Sequence, residues 1–264
     1  MTETLSHRLF KTAISVQALF CVVFILLVMS PVDGYSGQWR VAPARIYLDR
    51  DLKSSVITVV NDGDEKIDLQ GKAMAWSQDE QGKDIYRESN DLVFFPRILM
   101  IGKGGQRIIR IGIKNPEAAQ EKTYRLFIEE IPPPRKNPLD SAQLTVAVRF
   151  GIPVFVKPLK EEVKGEIAHA ELKKGRISMT VRNTGNTHFR ITDITMKGRD
   201  GTGAETFATK LNGWYLLADA AREYAAPVPQ DKCVATSHIE ITVSTDENIT
   251  LTGNVNVEKT LCLP

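Results

Sequence analysis

Residues 144–158 read Leu-Thr-Val-Ala-Val-Arg-Phe-Gly-Ile-Pro-Val-Phe-Val-Lys-Pro, and this stretch decides the fold that the sequence predicts. Large apolar residues occupy every even position of its first part: Leu144, Val146, Val148, Phe150 and Ile152. Because successive side chains of an extended strand point to opposite faces, these five share one face. The pattern therefore predicts a long strand with one apolar row.

A proline-rich segment leads into this strand. Four of the eight residues from 131 to 138 are proline, which has no backbone N–H and cannot continue a sheet ladder.

Two interpretations of the strand at residues 144–158 stay open. It is either an ordinary sandwich strand, or its row is held out for a partner to complete by strand addition at a sheet edge.

The chain before this stretch contains short strand signals separated by turns, with almost no helix signal. The strand signals lie at 39–48, 55–60, 67–76, 94–101, 107–113 and 124–131. Asn61-Asp62-Gly63-Asp64 is one of the turn signals between them. Strands at this spacing without alternating helices are typical of an antiparallel immunoglobulin-like sandwich, which we predict over residues 37–158.

A second series of strand signals follows residue 158. They lie at 166–172, 176–182, 189–196, 213–217, 238–244 and 254–261. The segment 203–229 alternates poorly, and residues 219–224 fit either a helical turn or a loop. We predict a second domain over residues 159–264, and an all-β fold of two immunoglobulin-like β-sandwich domains.

The first 36 residues have the pattern of a secretory signal peptide. His7, Arg8 and Lys11 precede an uncharged apolar run from Ala13 to Met29, and small residues follow the run. An uncleaved membrane anchor is the alternative, because the run is near the shortest length that spans a bilayer. In both cases the body of the protein is exported, and after signal cleavage we expect no membrane contact.

Cysteine usage predicts one disulfide. The chain has three cysteines, of which Cys21 lies inside the apolar run. Export to an oxidising compartment leaves Cys233 and Cys262 as the pair available for an intramolecular bridge.

Composition argues against nucleic-acid binding. In 264 residues, 34 Lys and Arg balance 32 Asp and Glu for a formal charge of +2, while an apolar content of 42% suits a globular core. This balance gives no electrostatic reason to expect a nucleic-acid partner.

No motif points to catalysis, a metal or a cofactor. The four histidines are scattered along the chain, which favours structural or solvated roles. Glu129 and Glu130 are adjacent, so in a strand they point to opposite faces and cannot share a proton or a metal ion. The glycine-rich segments 102–105 and 201–203 open no helix and are predicted to be hairpin turns. We expect no enzyme, no cofactor and no metal site.

Six blocks in order carry a family resemblance. They are Arg-Ile-Tyr-Leu-Asp at 45–49, the strand and turn at 56–62, Pro-Arg at 96–97, Gly-Gln-Arg-Ile-Ile-Arg at 105–110, Tyr-Arg-Leu-Phe-Ile-Glu-Glu-Ile-Pro at 124–132 and Gly-Ile-Pro-Val-Phe-Val-Lys-Pro at 151–158. Together they resemble the periplasmic pilus-assembly chaperones of the chaperone–usher family, and the last block resembles its divergent archaic branch.

The resemblance implies a function and its partners. Such a protein would bind pilin-like subunits in the periplasm and pass them to an outer-membrane usher without ATP. Leu144, Val146 and Val148 match the family's donor positions, whose side chains complete the subunit's sandwich by donor-strand complementation, and Phe150 continues the row. Free protein could self-associate through the same strand.

The resemblance also implies a site for the subunit's C-terminal carboxylate. Arg45 matches the family's cleft arginine, but Pro153 stands where the family has a second basic anchor, a lysine. Arg149 has the same strand parity as Pro153 and is our candidate substitute. Further candidates for that role are Arg110, Arg125 and Lys157.

Two other functions are alternatives. A structural subunit or adhesin of the surface fibre would need an N-terminal extension of alternating apolar residues, whereas residues 38–48 run directly into the first strand. An exported β-sandwich enzyme would need two carboxylates facing each other across a cleft, and the sequence shows no such pair.

Overall fold

Strands make up most of the regular structure in the computed structural model, which describes residues 39–132 and 146–263. The strands before residue 157 are β1 (Trp39–Ala42), β2 (Ile46–Leu48), β3 (Ser54–Asn61), β4 (Ile67–Gln78), β5 (Asp84–Glu88), β6 (Leu92–Phe95), β7 (Ile98–Ile101), β8 (Gln106–Ile113), β9 (Lys122–Glu130) and β10 (Arg149–Val156). The predicted signal segment, residues 1–36, lies outside the described residues.

These strands form a sandwich of two sheets. One sheet has the order β1-β3-β8-β6, and the other has the order β2-β10-β9-β4-β5, with β7 also paired to β4. Only β2 and β10 pair in parallel among the described strands of this sandwich. Alternating residues such as Ile57 and Val59 on β3 and Leu126 and Ile128 on β9 are fully buried and form the core between the sheets.

A second sandwich with its own core follows. Its elements are β11 (Gly165–Lys173), β12 (Arg176–Asn183), β13 (Phe189–Arg199), β14 (Glu205–Asn212), β15 (Tyr215–Leu216), β16 (Ala221–Pro227), the helix α1 (Gln230–Ala235), β17 (His238–Thr245), β18 (Thr250–Asn256) and a 3-10 turn (Lys259–Cys262). The sheets have the orders β11-β12-β16 and β14-β13-β17-β18, with β15 paired to β13. The predicted all-β fold of two immunoglobulin-like sandwiches is confirmed, and the predicted boundary after residue 158 falls between β10 and β11.

Two local predictions in the second half are wrong. The turn or loop predicted for residues 219–224 is limited to Asp219 and Ala220, because Ala221 to Pro227 pair with β12. Arg222 and Tyr224 there lie on the same face as the buried core residues of β12, which obscures the apolar alternation. The last strand ends at Asn256 instead of 261, and its predicted end is the 3-10 turn that carries Cys262.

The decisive strand is shorter than its sequence pattern. Regular pairing in β10 begins at Arg149, whereas the alternation predicted a strand from residue 144. Residues 146–148 form no strand, although the Glu130 N–H still donates to the Val148 carbonyl oxygen at 3.1 Å. Leu144 lies outside the described residues.

The two sandwiches contact each other through an aromatic cluster. Trp76 and Phe155 of the first sandwich pack with Tyr215 and Leu217 of the second, and all four are buried. One face of the sheet that contains β10 therefore lines a cleft between the sandwiches. In the described ranges no helix is long and apolar enough to cross a membrane.

Candidate functional site

One edge of β10 is only partly paired. On one side β10 pairs with β9 along its whole length, from Arg149 to Val156. On the other side β2 covers only Val154 to Val156. No strand in the described part of the chain pairs with that side of residues 149–153, so this segment presents a free sheet edge.

The hydrogen-bond pattern identifies the backbone groups at this edge. Alternate residues of a strand direct their N–H and C=O groups to opposite sides. Val148 bonds toward β9 through its carbonyl, so even-numbered residues face β9. The Lys157 N–H donates to the Leu48 carbonyl oxygen at 2.9 Å, so odd-numbered residues face the other side. The N–H groups of Arg149 and Gly151 therefore point to the free edge, and Pro153 contributes no donor.

The apolar row emerges gradually from the core. Ile152 is 2% exposed, Phe150 is 36% exposed and Val146 is 73% exposed. Val148 is half-buried and packs against the core, while the Phe150 ring meets the Trp39 ring edge-on at 4.6 Å. Of the predicted donor residues, Val146, Val148 and Phe150 thus form a continuous row that leaves the sandwich beside the free edge.

A carboxylate holds the start of this row. Glu130 accepts hydrogen bonds from the Trp39 indole N–H and, at 3.2 Å, from the Val148 backbone N–H. Its neighbour Glu129 instead lies 3.5 Å from Arg149. The two adjacent carboxylates therefore have different partners, and Glu130 fixes the point at which the chain joins β10.

Arg45 lies at the cleft, where it contacts both sandwiches. Its Nη1 donates to Asp246 Oδ2 at 3.1 Å, and its guanidinium lies 5.4 Å from the centre of the Tyr215 ring. Asp246 and Tyr215 both belong to the second sandwich. Arg45 is thus already ion-paired across the two sandwiches.

Arg125 on β9 also lies near Tyr215, with its guanidinium 5.7 Å from the ring centre. Arg125 is only 8% exposed, and it lies 4.1 Å from the centre of the Trp76 ring. Its Nη1 donates to the Gly151 carbonyl oxygen at 3.0 Å. Arg125 Nε and Nη2 and Trp76 Nε1 are buried and have no hydrogen-bond partner among the described residues.

Gly151 allows this approach. A Cβ atom at that position would lie 3.0 Å from the Phe127 ring and 3.6 Å from Arg125 Nη1. The first distance is tighter than an ordinary contact, so a side chain at residue 151 would displace the Phe127 ring. A glycine thus lets two side chains of β9 cover the backbone of β10.

Two guanidinium groups lie near the Tyr215 phenol. Burial raises the pKa of the Tyr215 phenol, although the nearby Arg45 and Arg125 act to lower it. The tyrosine therefore stays neutral at physiological pH, beside two guanidinium groups of which one, Arg45, has a carboxylate partner.

Arg149 lies apart from this pair. Its guanidinium stacks over the Phe127 ring at 3.8 Å, and its ion pair is with Glu129. It is four residues from Pro153 on the same strand, roughly 13 Å away. The structure therefore brings Arg45 and Arg125 to the cleft and leaves Arg149 farther along the sheet.

A buried polar pair joins the sandwiches behind the cleft. The Glu121 carboxylate accepts the His188 backbone N–H at 2.9 Å, and the same oxygen lies 2.7 Å from His188 Nδ1. The His188 ring stacks on Phe155 with a centroid distance of 3.5 Å. The sequence suggested no partner for His188, because Glu121 lies in the other sandwich and 67 positions away.

The expected cysteines are bonded to each other. Cys233 of α1 and Cys262 of the 3-10 turn form a disulfide with a Cα–Cα distance of 5.7 Å. Both residues are buried in the core of the second sandwich. The bridge thus ties the C-terminal turn to its sandwich.

Known proteins resemble this chain in fold. A chain of the CsuC–CsuE chaperone–tip adhesion subunit pre-assembly complex, from archaic chaperone-usher Csu pili of Acinetobacter baumannii, matches with a TM-score of 0.57 and 15% identity, covering 83% of this chain and 98% of that chain. A chain of the complex of SafA pilin with the SafB chaperone from Salmonella enterica matches with a TM-score of 0.53 and 13% identity. The match covers 84% of this chain and 98% of that chain. The class 5 fimbriae chaperone CfaA matches with a TM-score of 0.53 and 13% identity, covering 82% and 98%.

The sequence itself matches a family model. No curated protein matches the sequence. Residues 38–161, however, match the model described as pili and flagellar-assembly chaperone, PapD N-terminal domain. This range contains both sheets of the first sandwich and the free edge of β10. The resemblance to pilus-assembly chaperones predicted from the sequence is confirmed by this match over residues 38–161.

Proposed function

We propose that this protein is a periplasmic chaperone that binds pilin-like subunits by donor-strand complementation and delivers them to an outer-membrane usher. The observation that carries the proposal is the free edge of β10 at residues 149–153, with an apolar row beside it. The family of the first sandwich supports the same function. The proposal includes no catalytic step and no cofactor.

The free edge supplies the backbone part of the interaction. A strand of a subunit that pairs with residues 149–153 would satisfy the outward N–H groups of Arg149 and Gly151. Pro153 lacks an N–H, so the ladder on that side is interrupted just before β2 begins. An added strand is therefore confined to the segment that precedes β2.

The apolar row supplies the hydrophobic part. A subunit that lacks one strand exposes core residues, and Val146 is exposed enough to enter such a gap. Leu144, Val148 and Phe150 continue the proposed donor row. Burial of three apolar side chains contributes on the order of 5–9 kcal/mol before association costs. We expect this burial to drive capture of the subunit.

The cleft completes the proposed site. An added strand that runs along residues 149–153 toward β2 would end near Arg45 and Arg125, where the subunit's C-terminal carboxylate would lie. Without a subunit, the same edge and row could pair with a second copy of the chain.

Co-expression tests the proposal. We expect a pilin-like subunit encoded beside this protein to form a soluble one-to-one complex with it, measured by size-exclusion chromatography with light scattering. Val146→Asp should abolish the complex, because a carboxylate cannot enter an apolar core without a large desolvation cost. Val56→Asp, at an exposed valine on β3 outside the proposed site, is the matched control. A subunit that stays insoluble with the wild type, or a Val146→Asp complex of unchanged yield, would contradict the proposal.

A further inference from the structure

We propose that Glu130 and Pro132 end the pairing between β9 and β10 at Val148, so that the donor residues Leu144 and Val146 stay available to a subunit on both edges. The proposal rests on the proposed function, because it concerns how the donor row is presented. It adds two positioning residues, at the end of β9 and just after it, to a site so far described mainly from β10.

Bonding between β9 and β10 changes at Val148. The regular register ends with Arg149 opposite Glu129. At the next position the Glu130 N–H donates to the Val148 carbonyl oxygen at 3.1 Å. In a regular antiparallel pair the Glu130 carbonyl oxygen would accept the Val148 N–H in return. Here the Glu130 carboxylate accepts it, at 3.2 Å. A side chain therefore takes the place of the backbone acceptor at the end of the ladder.

The change is specific to the β10 side of β9. On the other side the chain continues to bond with β4, since the Ile131 N–H donates to the Asp68 carbonyl oxygen at 2.8 Å. The chain that follows β9 therefore stays bonded to the sheet beyond the position at which its contact with β10 changes.

Pro132 occupies the next position at which the ladder would bond. Bonded positions alternate along a strand, so the next such pair after Val148 is Val146 opposite Pro132. Pro132 has no N–H and cannot donate to the Val146 carbonyl oxygen. Two positions farther on, the sequence sets Leu144 against Pro134 in the same register, and both lie outside the described residues. The sequence therefore places a residue without a backbone donor opposite each of two donor residues.

Glu130 is also held by the other sheet. Its carboxylate accepts the indole N–H of Trp39, which is only 2% exposed. Trp39 begins β1, which pairs with β3 in the sheet opposite β9 and β10. The Trp39 ring also meets the Phe150 ring of the donor row. Contacts from both sheets therefore fix where the row leaves the sandwich.

A donor strand needs both of its edges. A strand that fills a gap inside a sheet pairs with a neighbour on each side. Odd-numbered residues of β10 already face the free edge, whereas the backbone groups of Val146 have the parity that faces β9. A longer ladder would occupy this second edge with the protein's own chain, and a subunit would first have to break those bonds. An end of the ladder at Val148 removes this competition.

Pro132→Ala tests the proposal because it supplies the missing N–H. In the free variant we expect this N–H to bond the Val146 carbonyl oxygen and to exchange at least about 10-fold more slowly than an unbonded amide. In the complex with a pilin-like subunit encoded beside this protein it should exchange rapidly, because Val146 then pairs with the subunit. Pro133→Ala is the matched control, since residue 133 has the parity of Ile131, whose N–H faces β4.

The same two variants can compete with wild type for the subunit. The added hydrogen bond must break on capture, so Pro132→Ala should bind the subunit about 3- to 10-fold more weakly. The measurement is the distribution of the subunit between tagged wild type and untagged variant at equilibrium. Pro133→Ala should compete as well as wild type does.

Glu130→Ala tests the other positioning residue. In the free variant the Val148 N–H should exchange at least about 10-fold faster than in wild type, whereas Glu129→Ala should leave its rate unchanged.

Three results would overturn the proposal. They are rapid exchange of the new N–H in free Pro132→Ala, equal competition by Pro132→Ala and wild type, and an unchanged Val148 rate in Glu130→Ala. A wild type that forms no complex would instead contradict the proposed function, while exchange in the free proteins would still decide whether Glu130 and Pro132 end the ladder.

Discussion

Pro153 on β10 lies directly opposite Arg125 on β9 in the antiparallel register. Both side chains therefore belong to the same sheet face, the one that lines the cleft. The cation that the resemblance places at position 153 is absent from that strand, and the neighbouring strand presents one at the same level. This relationship brings the Arg125 guanidinium to the Gly151 carbonyl oxygen beside the free edge.

The disulfide is expected to stabilise the second sandwich. Cys233 and Cys262 close a loop with a sequence separation of 29 residues. In the chain-entropy account, such a loop contributes roughly 3–4 kcal/mol to the free energy of unfolding. We expect the double variant Cys233→Ala, Cys262→Ala to lose about this much in urea denaturation at equilibrium. An unchanged midpoint and slope would show that the bridge does not stabilise the fold.

Glu121 is expected to contribute more to stability than an exposed glutamate. Glu121→Ala would leave the backbone N–H of His188 without its carboxylate partner inside the contact between sandwiches. We expect the free energy of unfolding to fall by about 2–3 kcal/mol. Glu161→Ala, which removes an exposed ion pair with Lys157, should cost no more than about 0.5 kcal/mol. Equal losses in the two variants would contradict this account of the interface.

Asn183 is expected to be essential to its turn. Its Nδ2 donates to the carbonyl oxygens of Thr187 and Leu216 at 2.8 and 3.0 Å, and its Oδ1 accepts the Gly185 N–H at 2.9 Å. Asn183→Ala would leave these buried groups unpaired, at a cost of about 2–4 kcal/mol in the free energy of unfolding. Asn212→Ala, at the exposed end of β14, should change it by less than about 0.5 kcal/mol. A similarly small loss at Asn183 would refute the role of this turn.

The sequence predicted the architecture because alternation and turn residues are local signals. Most strands of the first sandwich and the turn at Asn61 appear where the pattern placed them. What the pattern did not show is that Asn61 and Asn183 have the same role. Asn61 also donates to carbonyl oxygens across its sandwich, those of Ile101 and Gly102 at 3.1 Å. Such an equivalence depends on contacts distant in sequence.

The site was less predictable than the fold. The apolar row from Val146 to Phe150 follows from the alternation of side chains along an extended strand. That alternation can be read from neighbouring residues in the sequence. The position of Arg125 opposite Pro153 cannot be read in this way, because it is set by the register between two strands separated by a long loop. The contact of Arg125 with Tyr215 and the pairing of Arg45 with Asp246 depend on how the second sandwich packs against the first. Sequence spacing contains no signal for either.

Amide hydrogen exchange across β10 tests the central claim most directly. In the free protein, the N–H groups of Arg149 and Gly151 point to the unpaired edge, so we expect them to exchange rapidly, whereas that of Ile152 faces β9 and should exchange slowly. In the subunit complex, pairing with an added strand should slow exchange at Arg149 and Gly151 by at least about 100-fold and leave Ile152 little changed. A stable complex in which Arg149 and Gly151 still exchange as fast as in the free protein would contradict strand addition at this edge.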